Sequence, residues 1–388
     1  MEITVYRAEA DHILLTLVLI MLALGTLMVC NASYVYANEY KSQNSYHYLF
    51  LQLQMAGIGL AAMLFIAYFK VRNRHFIDYE VMEKYGLPLI TAAAVASNAY
   101  AAIKHTRWIV LPIVGNFQPS EILKLAVIFV FAYYICKNGD KMKKWKYGAL
   151  IPVPFMCGLF LIMRMQSHLS GLIIIGLICY AMMIVGESPK IFLILVGAAL
   201  IGAVLYAKYN SEAVVNFLVK FSGRQDAGDR ITYWIDPYKS ENDGGYQIIQ
   251  SLIAIGSGGL TGLGLGQSMQ KHLYLPEPQN DFIFSIICEE LGFVGAVFIV
   301  LLFALLIWRG FVIAYRAPNR FSSLIAMGIT MKVAIQFLLN IAVVTNALPN
   351  TGISLPFFSY GGTALVVLMA EMGIILSISR YSYKNKAE

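Results

Sequence analysis

Apolar runs of about 20 residues recur along the whole chain, and a helix of that length just crosses the hydrocarbon core of a bilayer. Inside that core every backbone polar group must be hydrogen-bonded within the protein, so such runs fold as helices. Charged residues make up 13% of the chain, about half the share of a soluble domain. The sequence therefore predicts an all-α integral membrane protein with ten transmembrane helices. The predicted spans are residues 12–31, 48–68, 86–103, 119–136, 148–165, 168–186, 190–208, 282–307, 321–347 and 354–378.

The distribution of Lys and Arg predicts which side of the membrane each loop occupies, because these residues are enriched in cytoplasmic loops. With the N-terminus placed inside, 17 of the 29 Lys and Arg residues fall on the inner face. The asymmetry predicts that both termini are cytoplasmic. It also assigns the net charge of +7 to an inner membrane face, so no nucleic-acid partner is expected. The short outer loops hold only Lys41, Lys104, Arg107 and Arg164.

A single polytopic membrane domain is predicted over residues 1–388, with one long polar interruption at 209–281. The charge pattern makes this segment a large extracytoplasmic loop between the seventh and eighth helices. Within it, residues 212–221 and 245–255 carry apolar side chains at helical spacing. Both runs are too short to cross a bilayer, which predicts short interfacial or re-entrant helices.

The patterns that could indicate a cofactor do not match a known site. The glycine-rich run 256–266 lacks the strict dinucleotide-binding spacing and is followed by no Walker lysine, so it is predicted to be a turn or a point of close backbone packing. The five cysteines lie within or at the ends of predicted spans, without the spacing of a disulfide framework or metal site. The six histidines show no metal-ligand spacing either.

Ionisable residues inside the predicted spans are candidates for a functional site, because each costs roughly 2.5–3.5 kcal/mol to insert. Glu121 and Lys124 are three residues apart on one helix and can pair on one face. The pair either neutralises itself, so that a polar helix face can pack, or lines a polar cavity that binds substrate. Gln118 stands just before this helix, followed by a proline at its start.

The last three predicted spans also carry charge. Lys332 either faces a phosphate or neutralises a carboxylate such as Glu371. Glu289 and Glu290 are adjacent on one helix and cannot face the same way. At least one of them is therefore predicted to point into a cavity or to meet a cation.

Asp281 lies in the run LPEPQNDFIF at 275–284, where the long polar segment meets the eighth span. The two prolines stiffen the approach to the membrane. Asp281 is either an N-cap of the helix that follows or an acid or base at the mouth of the membrane. No Ser-His-Asp arrangement is present. The residues alone indicate a protein that acts on an anionic amphiphile at the outer leaflet, and they do not separate an enzyme from a transporter.

Five ordered segments resemble the SEDS family, the FtsW, RodA and SpoVE group of bacterial shape, elongation, division and sporulation proteins. Together they extend over about 260 residues. Residues 166–171 depart from the family pattern, since His168 stands where members often carry an acid. The matching segments are FQPSEILKL at 117–125, RITYWIDP at 230–237, GYQ at 245–247 with the glycine run, LPEPQNDFIF at 275–284, and LPNTGISLPFFSYGG at 348–362.

The resemblance implies a ten-helix bundle in the bacterial cytoplasmic membrane, with the large outer loop after the seventh helix. It implies polymerisation of peptidoglycan glycan strands from lipid II, with a class B penicillin-binding protein as the crosslinking partner. The family's essential carboxylate corresponds to Asp281, and its buried acid–base pair to Glu121 and Lys124. The division, elongation and sporulation members are not separated by these motifs.

The implied reaction transfers glycan from a polyprenyl-diphosphate donor to the 4-hydroxyl of lipid II with inversion, which requires one base and stabilisation of the leaving diphosphate. Asp281 is the predicted base. Arg230, Lys271 and Lys332 are the predicted cations, with a divalent ion such as Mg²⁺ or Mn²⁺ as an additional source of charge. The predicted cavity residues are Gln118, Glu121, Lys124, Arg230, Lys271, Lys332 and Glu290.

Two other functions are compatible with the same residues. A lipid II flippase would also need a charged cavity, with Lys332 and Glu371 at its centre. A non-catalytic scaffold would recruit a penicillin-binding protein through its membrane helices.

Overall fold

A computed structural model describes residues 9–41, 43–68, 70–71, 74–75, 85–104, 106–111, 115–166, 169–222, 225–239 and 244–381. The chain is mostly helical. Its helices are α1 His12–Tyr40, α2 His47–Tyr68, α3 Leu87–Ile103, α4 Pro119–Asn138, α5 Pro152–Met165, α6 Leu169–Val185, α7 Lys190–Tyr209, α8 Ser211–Ser222, α9 Gln225–Ile235, α10 Gly244–Ser257, α11 Ile283–Tyr315, α12 Arg320–Val344 and α13 Thr363–Ser379.

Short turns and ribbons complete the described secondary structure. Two antiparallel ribbons, which the sequence analysis did not predict, join β1 Lys70–Val71 to β2 Arg74–His75 and β3 Ile109–Leu111 to β4 Gly115–Phe117. Gly139–Lys143 and Pro237–Lys239 form 3₁₀ turns, and Lys146–Leu150 forms a π turn before α5.

Within the described residues, seven helices are long and apolar enough to cross a membrane: α1, α2, α4 with its following turn, α5 with its preceding turn, α7, α11 and α12. Three shorter apolar helices, α3, α6 and α13, coincide with the other predicted spans. The prediction of a helical membrane protein is therefore confirmed. The count of ten transmembrane helices stays a prediction.

The last predicted span is wrong at its start, because α13 begins at Thr363 and not at residue 354. The preceding residues fold as a loop instead of a helix. Phe357 has a φ of 67°, far from the value of about −63° that a regular α-helix requires. The loop is held from outside, since the Tyr360 N–H donates to the carbonyl of Gln279 at 2.8 Å. Its apolar side chains, including Phe358, are buried in the protein core. An apolar run alone cannot distinguish such a buried loop from a span.

The glycine run at 256–266 packs against a break in α11. This agrees with its predicted role as a point of close backbone packing. Gly292 lies inside α11 with φ 65° and ψ −166°, which frees backbone groups from the helix. These groups must be satisfied by other protein atoms if the break lies at membrane depth. The run supplies the partners in four hydrogen bonds: Leu263 N–H to Glu289 O at 3.0 Å, Gly264 N–H to Glu290 O at 2.9 Å, Phe293 N–H to Gly259 O at 2.9 Å, and Val294 N–H to Leu260 O at 3.1 Å.

The long segment between α7 and α11 has the two helices expected of it. Residues 212–221 fall within α8, and 245–255 fall within α10. A third helix, α9, lies between them and contains Arg230 and Trp234. The location of this segment outside the membrane stays a prediction.

Candidate functional site

A cavity of about 710 Å³ lies where α2, α9, α10, the segment before α11 and the loop before α13 meet, and Asp281 is in its wall. Three of the predicted site residues share it: Asp281, Gln118 and Arg230. The lining is rich in polar groups of both signs. Its charged and hydrogen-bonding residues are Lys41, His47, Tyr48, Arg107, Asn116, Gln118, Arg230, Gln247, Glu277, Asn280, Asp281, Asn350, Thr351, Ser354 and Tyr360.

Asp281 is half-buried just before α11, and backbone contacts hold it on both sides. The Nδ2 of Asn340 donates to the Asp281 carbonyl at 2.7 Å, and the Tyr360 N–H donates to the carbonyl of Gln279 at 2.8 Å. The N-cap of α11 is Phe282, with no side-chain capping bond. The capping alternative for Asp281 is therefore wrong, and its carboxylate faces the cavity.

The surroundings of Asp281 prepare its carboxylate to accept a proton near neutral pH. Burial raises the pKa of Asp281 from 3.8 to about 6, because desolvation disfavours the charged form. The charge of Glu277 raises this pKa further, whereas Arg230 and Arg107 oppose the rise. A carboxylate whose pKa is near 6 is ionised at pH 7 and is more basic than an ordinary aspartate.

Arg230 and Trp234 attach α9 to the loop after α12. They are four residues apart on α9 and so lie on the same face. The Arg230 guanidinium donates to the carbonyl of Asn350 at 2.7 Å, and the Trp234 indole donates to the carbonyl of Asn346 at 3.1 Å. The Asn350 amide in turn donates to Gln247 of α10 at 3.3 Å. These contacts bring the RITYWIDP and LPNTG segments to one side of the cavity.

Gln118 is the N-cap of α4, with Pro119 at the first helical position, as the sequence indicated. It reaches the cavity because α4 begins at the cavity wall. Two further cations in the lining, Lys41 and Arg107, were missed as site residues. The sequence analysis recognised them only as charges in short outer loops. Their shared placement in predicted outer loops was the one signal that could have identified them.

A buried network of four charges lies next to this cavity. The Lys124 Nζ is 2.6 Å from Glu121 Oε1, the Lys332 Nζ is 2.6 Å from Glu371 Oε1, and Lys332 also lies 3.7 Å from Glu121 Oε2. All four residues are buried. Two cations and two anions balance, so the network is neutral. Lys332 therefore neutralises Glu371, which was one of its two predicted roles.

The network is connected to the cavity through a small space of about 30 Å³ lined by Glu121 and Lys332. Ser354, Gly361 and Ala364 line both this space and the larger cavity. Glu121 and Lys332 thus lie beneath the site. Lys124 does not line the small space and is connected to it only through its ion pair with Glu121. No side chain of the network lines the larger cavity among the described residues.

Lys271 and Glu290 do not line the Asp281 cavity, which corrects the prediction of one shared site. Lys271 forms an ion pair with Glu290 at 3.0 Å and donates to Asn31 Oδ1 of α1 at 2.8 Å. Lys271 borders a different, mostly apolar groove of about 1060 Å³ between α1 and α2. Glu290 instead lies where α11 meets the glycine run and α1, since the Gly264 N–H donates to its carbonyl at 2.9 Å and Asn31 of α1 donates to its carboxylate.

The adjacent Glu289 has a separate structural role. Its carboxylate accepts hydrogen bonds from the Ser268 hydroxyl and from the Met269 N–H, the latter at 2.9 Å. It therefore caps the turn that carries Lys271. Glu290 is therefore the member of the adjacent pair that meets a cation, Lys271. The sequence analysis predicted that at least one of the two would do so or would point into a cavity.

Two remaining site questions concern a metal and His168. Among the described residues, no group of three or more His, Cys, Asp or Glu side chains converges as metal ligands. The donor set therefore does not fit a protein-held divalent ion, and we derive no chemical step through one.

His168 lies outside the described residues. Two positions later in the chain, Ser170 of α6 donates to the carbonyl of Thr351 in the cavity wall.

Comparison with known proteins places this architecture in a family. The model of the FtsW, RodA and SpoVE cell cycle proteins matches residues 11–384. Stage V sporulation protein E of Bacillus subtilis is 37% identical over 98% of this chain and 99% of its own length. A probable peptidoglycan glycosyltransferase FtsW of Geobacter sp. strain M18 is 33% identical over 95% of this chain and 96% of its own.

Solved structures show the same fold at lower identity. One chain, from a peptidoglycan synthase complex that coordinates polymerisation and crosslinking, has a TM-score of 0.71 at 23% identity and covers 97% of this chain and 99% of its own. The rod shape-determining protein RodA of Thermus thermophilus has a TM-score of 0.63 at 22% identity, covering 97% and 98%. The nearly full-length family match and the sequence relatives together establish that this chain belongs to the FtsW/RodA/SpoVE family of cell cycle proteins.

Proposed function

We propose that this chain is a peptidoglycan glycosyltransferase that polymerises glycan strands from lipid II. The observation that carries the proposal is the meeting of Asp281, with a pKa of about 6, and three cations in one cavity. Relatives that are 33% and 34% identical over 95% of this chain are named probable peptidoglycan glycosyltransferases. The cations are Lys41, Arg107 and Arg230.

In the proposed reaction the acceptor's 4-hydroxyl enters the cavity beside Asp281. The carboxylate removes the hydroxyl proton as the oxygen attacks the anomeric carbon of the donor sugar. The bond from that carbon to the diphosphate breaks, and the polyprenyl diphosphate leaves with the electron pair. One displacement converts the α-linked donor into a β-linked product.

The leaving diphosphate gains negative charge, which preorganised cations stabilise. Arg230 is suited to this role because its backbone contact with Asn350 holds it at the cavity wall. Lys41 and Arg107 are exposed at the same cavity and supply charge without a structural rearrangement. They replace Lys271 and Lys332 in the predicted set of diphosphate-binding residues.

Glu121, Lys124, Lys332 and Glu371 support the floor of the cavity rather than the chemistry. Their charges are paired with each other at 2.6–3.7 Å, so they are not available to a substrate without breaking an ion pair. This pairing also favours polymerisation over lipid II transport, because a flippase would need a path for a diphosphate past this closed network.

We propose that all ten apolar helices span the membrane. The three shorter ones, α3, α6 and α13, have 17 residues each, which corresponds to about 25 Å of helix and lies within the range seen for spans. Both termini then lie in the cytoplasm, and α8, α9 and α10 lie outside the bacterial cytoplasmic membrane. Labelling of single cysteines introduced in α8 and near residue 140 by a membrane-impermeant reagent tests this topology.

The proposed crosslinking partner is a class B penicillin-binding protein. Support comes from the structural neighbour that belongs to a complex coordinating polymerisation and crosslinking. Lipid II and membrane lipids are the other proposed ligands.

The test of the function uses purified full-length protein, lipid II and a co-purified class B penicillin-binding protein. We expect glycan polymer from the parent and a rate about 10²–10⁴-fold lower from Asp281→Asn. Vesicles loaded with lipid II provide the competing measurement. Translocation of lipid II without polymer would support the flippase. The absence of both, with normal growth of cells that carry Asp281→Asn, would support the scaffold.

A further inference from the structure

The Asp281 segment and the loop before α13 are joined by one buried side chain, that of Asn340. Its Nδ2 donates both to the Asp281 carbonyl at 2.7 Å and to the Ile353 carbonyl at 2.8 Å. The side chain has no exposed surface. Neither the proposed function nor the sequence motifs explain why Asn340 makes these two contacts.

The chemistry of an amide makes this contact directional. Both partners are carbonyl oxygens and can only accept, so the NH₂ group must face them. In the opposite orientation Oδ1 would face two acceptors. In the observed orientation Oδ1 has no partner among the described residues. The Asn340 amide therefore leaves Oδ1 without a hydrogen bond, while Nδ2 makes two hydrogen bonds to the cavity wall.

Those two hydrogen bonds connect the reacting groups of the cavity. Asp281 is attached to one side of Asn340. Ile353, on the other side, belongs to the loop whose Asn350 carbonyl accepts from Arg230. One path from the carboxylate to the guanidinium thus runs through Asn340. Two others bypass it: the Tyr360 N–H donates to the Gln279 carbonyl at 2.8 Å, and Gln247 donates to the Pro276 carbonyl at 3.4 Å while it accepts from Asn350 at 3.3 Å. Unlike Gln247, which is only partly buried, Asn340 is fully buried and contacts Asp281 itself.

We infer that Asn340 is a positioning residue, which sets the placement of Asp281 relative to Arg230 without touching substrate. This inference rests on the proposed function. Displacement of a reacting group by about 1 Å can reduce a rate about 10²-fold, so a residue outside the cavity can control the rate.

The first experiment compares Asn340→Leu, Asn340→Gln and the parent in the polymerisation assay. Leu has a similar size and no donor, whereas Gln keeps the donors on a longer stem. We expect kcat per folded molecule to fall about 10²-fold in Asn340→Leu, with KM for lipid II nearly unchanged and partial recovery in Asn340→Gln.

A matched control is Thr330→Val on the same helix. Thr330 is buried, and its hydroxyl donates to Ala326 within α12, away from the cavity. We expect this variant to lose some stability and to keep the parental kcat. A loss of rate in Asn340→Leu that only follows its folded fraction, as in the control, would overturn the positioning role.

A second measurement does not depend on polymerisation. A hydrophobic carbodiimide modifies protonated carboxyl groups, so the pH dependence of Asp281 modification, measured by mass spectrometry, reports its surroundings. The charged groups that act on Asp281 are Arg230, Arg107 and Glu277. We expect the midpoint to shift in Asn340→Leu and not in Thr330→Val.

The two measurements separate the two hypotheses. If the parent makes no polymer but the midpoint shifts, the proposed function fails and Asn340 still positions Asp281. If Asp281→Asn is inactive while Asn340→Leu has parental kcat and midpoint, the function stands and the positioning role is wrong.

Discussion

Lys332 of α12 and Glu371 of α13 form an ion pair of 2.6 Å with almost no exposed surface on either side chain. A third charge, Glu121 of α4, lies 3.7 Å from the same Nζ. Three helices are thus joined by charge directly beneath the proposed catalytic cavity. Such an arrangement is stable only while its charges balance, because an unpaired buried charge is costly.

Removal of one partner of this pair should therefore unfold the protein more easily. We expect Lys332→Met to lower the free energy of unfolding by about 3–5 kcal/mol, because Glu371 is left buried without its cation. The double variant Lys332→Met/Glu371→Leu should recover much of that loss. Thermal unfolding in detergent measures both. The matched control is Lys143→Ala, which removes a 3.0 Å ion pair with Glu187 at the surface and should leave the unfolding temperature unchanged.

The Asp281→Asn variant should remain folded and lose polymerisation by about 10²–10⁴-fold, the usual contribution of a general base. The folded state binds the Asp281 proton more tightly than the unfolded state does, since burial raises its pKa. Protonated Asp281 therefore stabilises the folded state at low pH, and this stabilisation is lost as the pH rises through about 6. The neutral amide of Asp281→Asn should for that reason not destabilise the protein at pH 7. Glu277→Gln, which neutralises another carboxylate of the cavity, should cause a much smaller loss. Equal losses in both variants would contradict the assignment.

The pH dependence of the rate should follow the ionisation of Asp281. Only the carboxylate form accepts a proton, so the rate should fall about tenfold per pH unit below the pKa of about 6 and level off above it. Glu277 raises this pKa and Arg230 lowers it. Glu277→Gln should therefore move the acid limb to lower pH, and Arg230→Gln should move it to higher pH. A limb that stays in place in both variants would indicate that another group titrates.

Arg107→Gln should weaken the binding of lipid II more than it slows the chemistry. A hydrogen bond to a charged group contributes about 1.5–3 kcal/mol, which corresponds to about 10- to 160-fold in KM. Kinetics at several lipid II concentrations separate KM from kcat. Arg164→Gln is the matched control, because Arg164 is at the end of α5 and does not line the cavity. A similar change in both variants would point to a general effect of outer-face charge.

Gly262→Ala should disrupt the contact between the glycine run and the break in α11. A Cβ at this position would lie 2.1 Å from the Glu290 carbonyl oxygen, and the residue has a φ of 78°. Overpacking costs about 1–3 kcal/mol, and a left-handed conformation adds about 1–2 kcal/mol for alanine. The unfolding temperature and the yield of folded protein measure the effect. Gly256→Ala, where a Cβ would meet nothing within 4 Å, should be tolerated.

The sequence predicted the helices well because the membrane acts on each segment separately. A run of about 20 apolar residues satisfies its backbone only as a helix, whatever its neighbours are. The same reasoning was wrong at residues 354–362, where an apolar loop is buried by protein instead of lipid. It also left two short ribbons unpredicted, since pairs of two and three residues carry no periodic signal.

The candidate site was predictable only in part. Asp281 could be identified from its place between a stiff polar segment and a span, and Glu121 could be paired with Lys124 because three residues separate them on one helix. Lys271 was assigned to the wrong cavity, and Lys41 and Arg107 were not assigned to any. These positions depend on which loops meet, which local patterns do not encode.

The sequence by itself determined the membrane character, the helical segments and the family of this protein, because hydrophobicity and motif spacing are properties of contiguous residues. Only the tertiary structure decided that Lys332 meets Glu371, that Lys271 meets Glu290, and that Asn340 holds Asp281 from 59 positions away. The physical reason is that a buried charge or amide must find a partner elsewhere in the protein. Which helix or loop supplies that partner depends on the packing of the whole bundle.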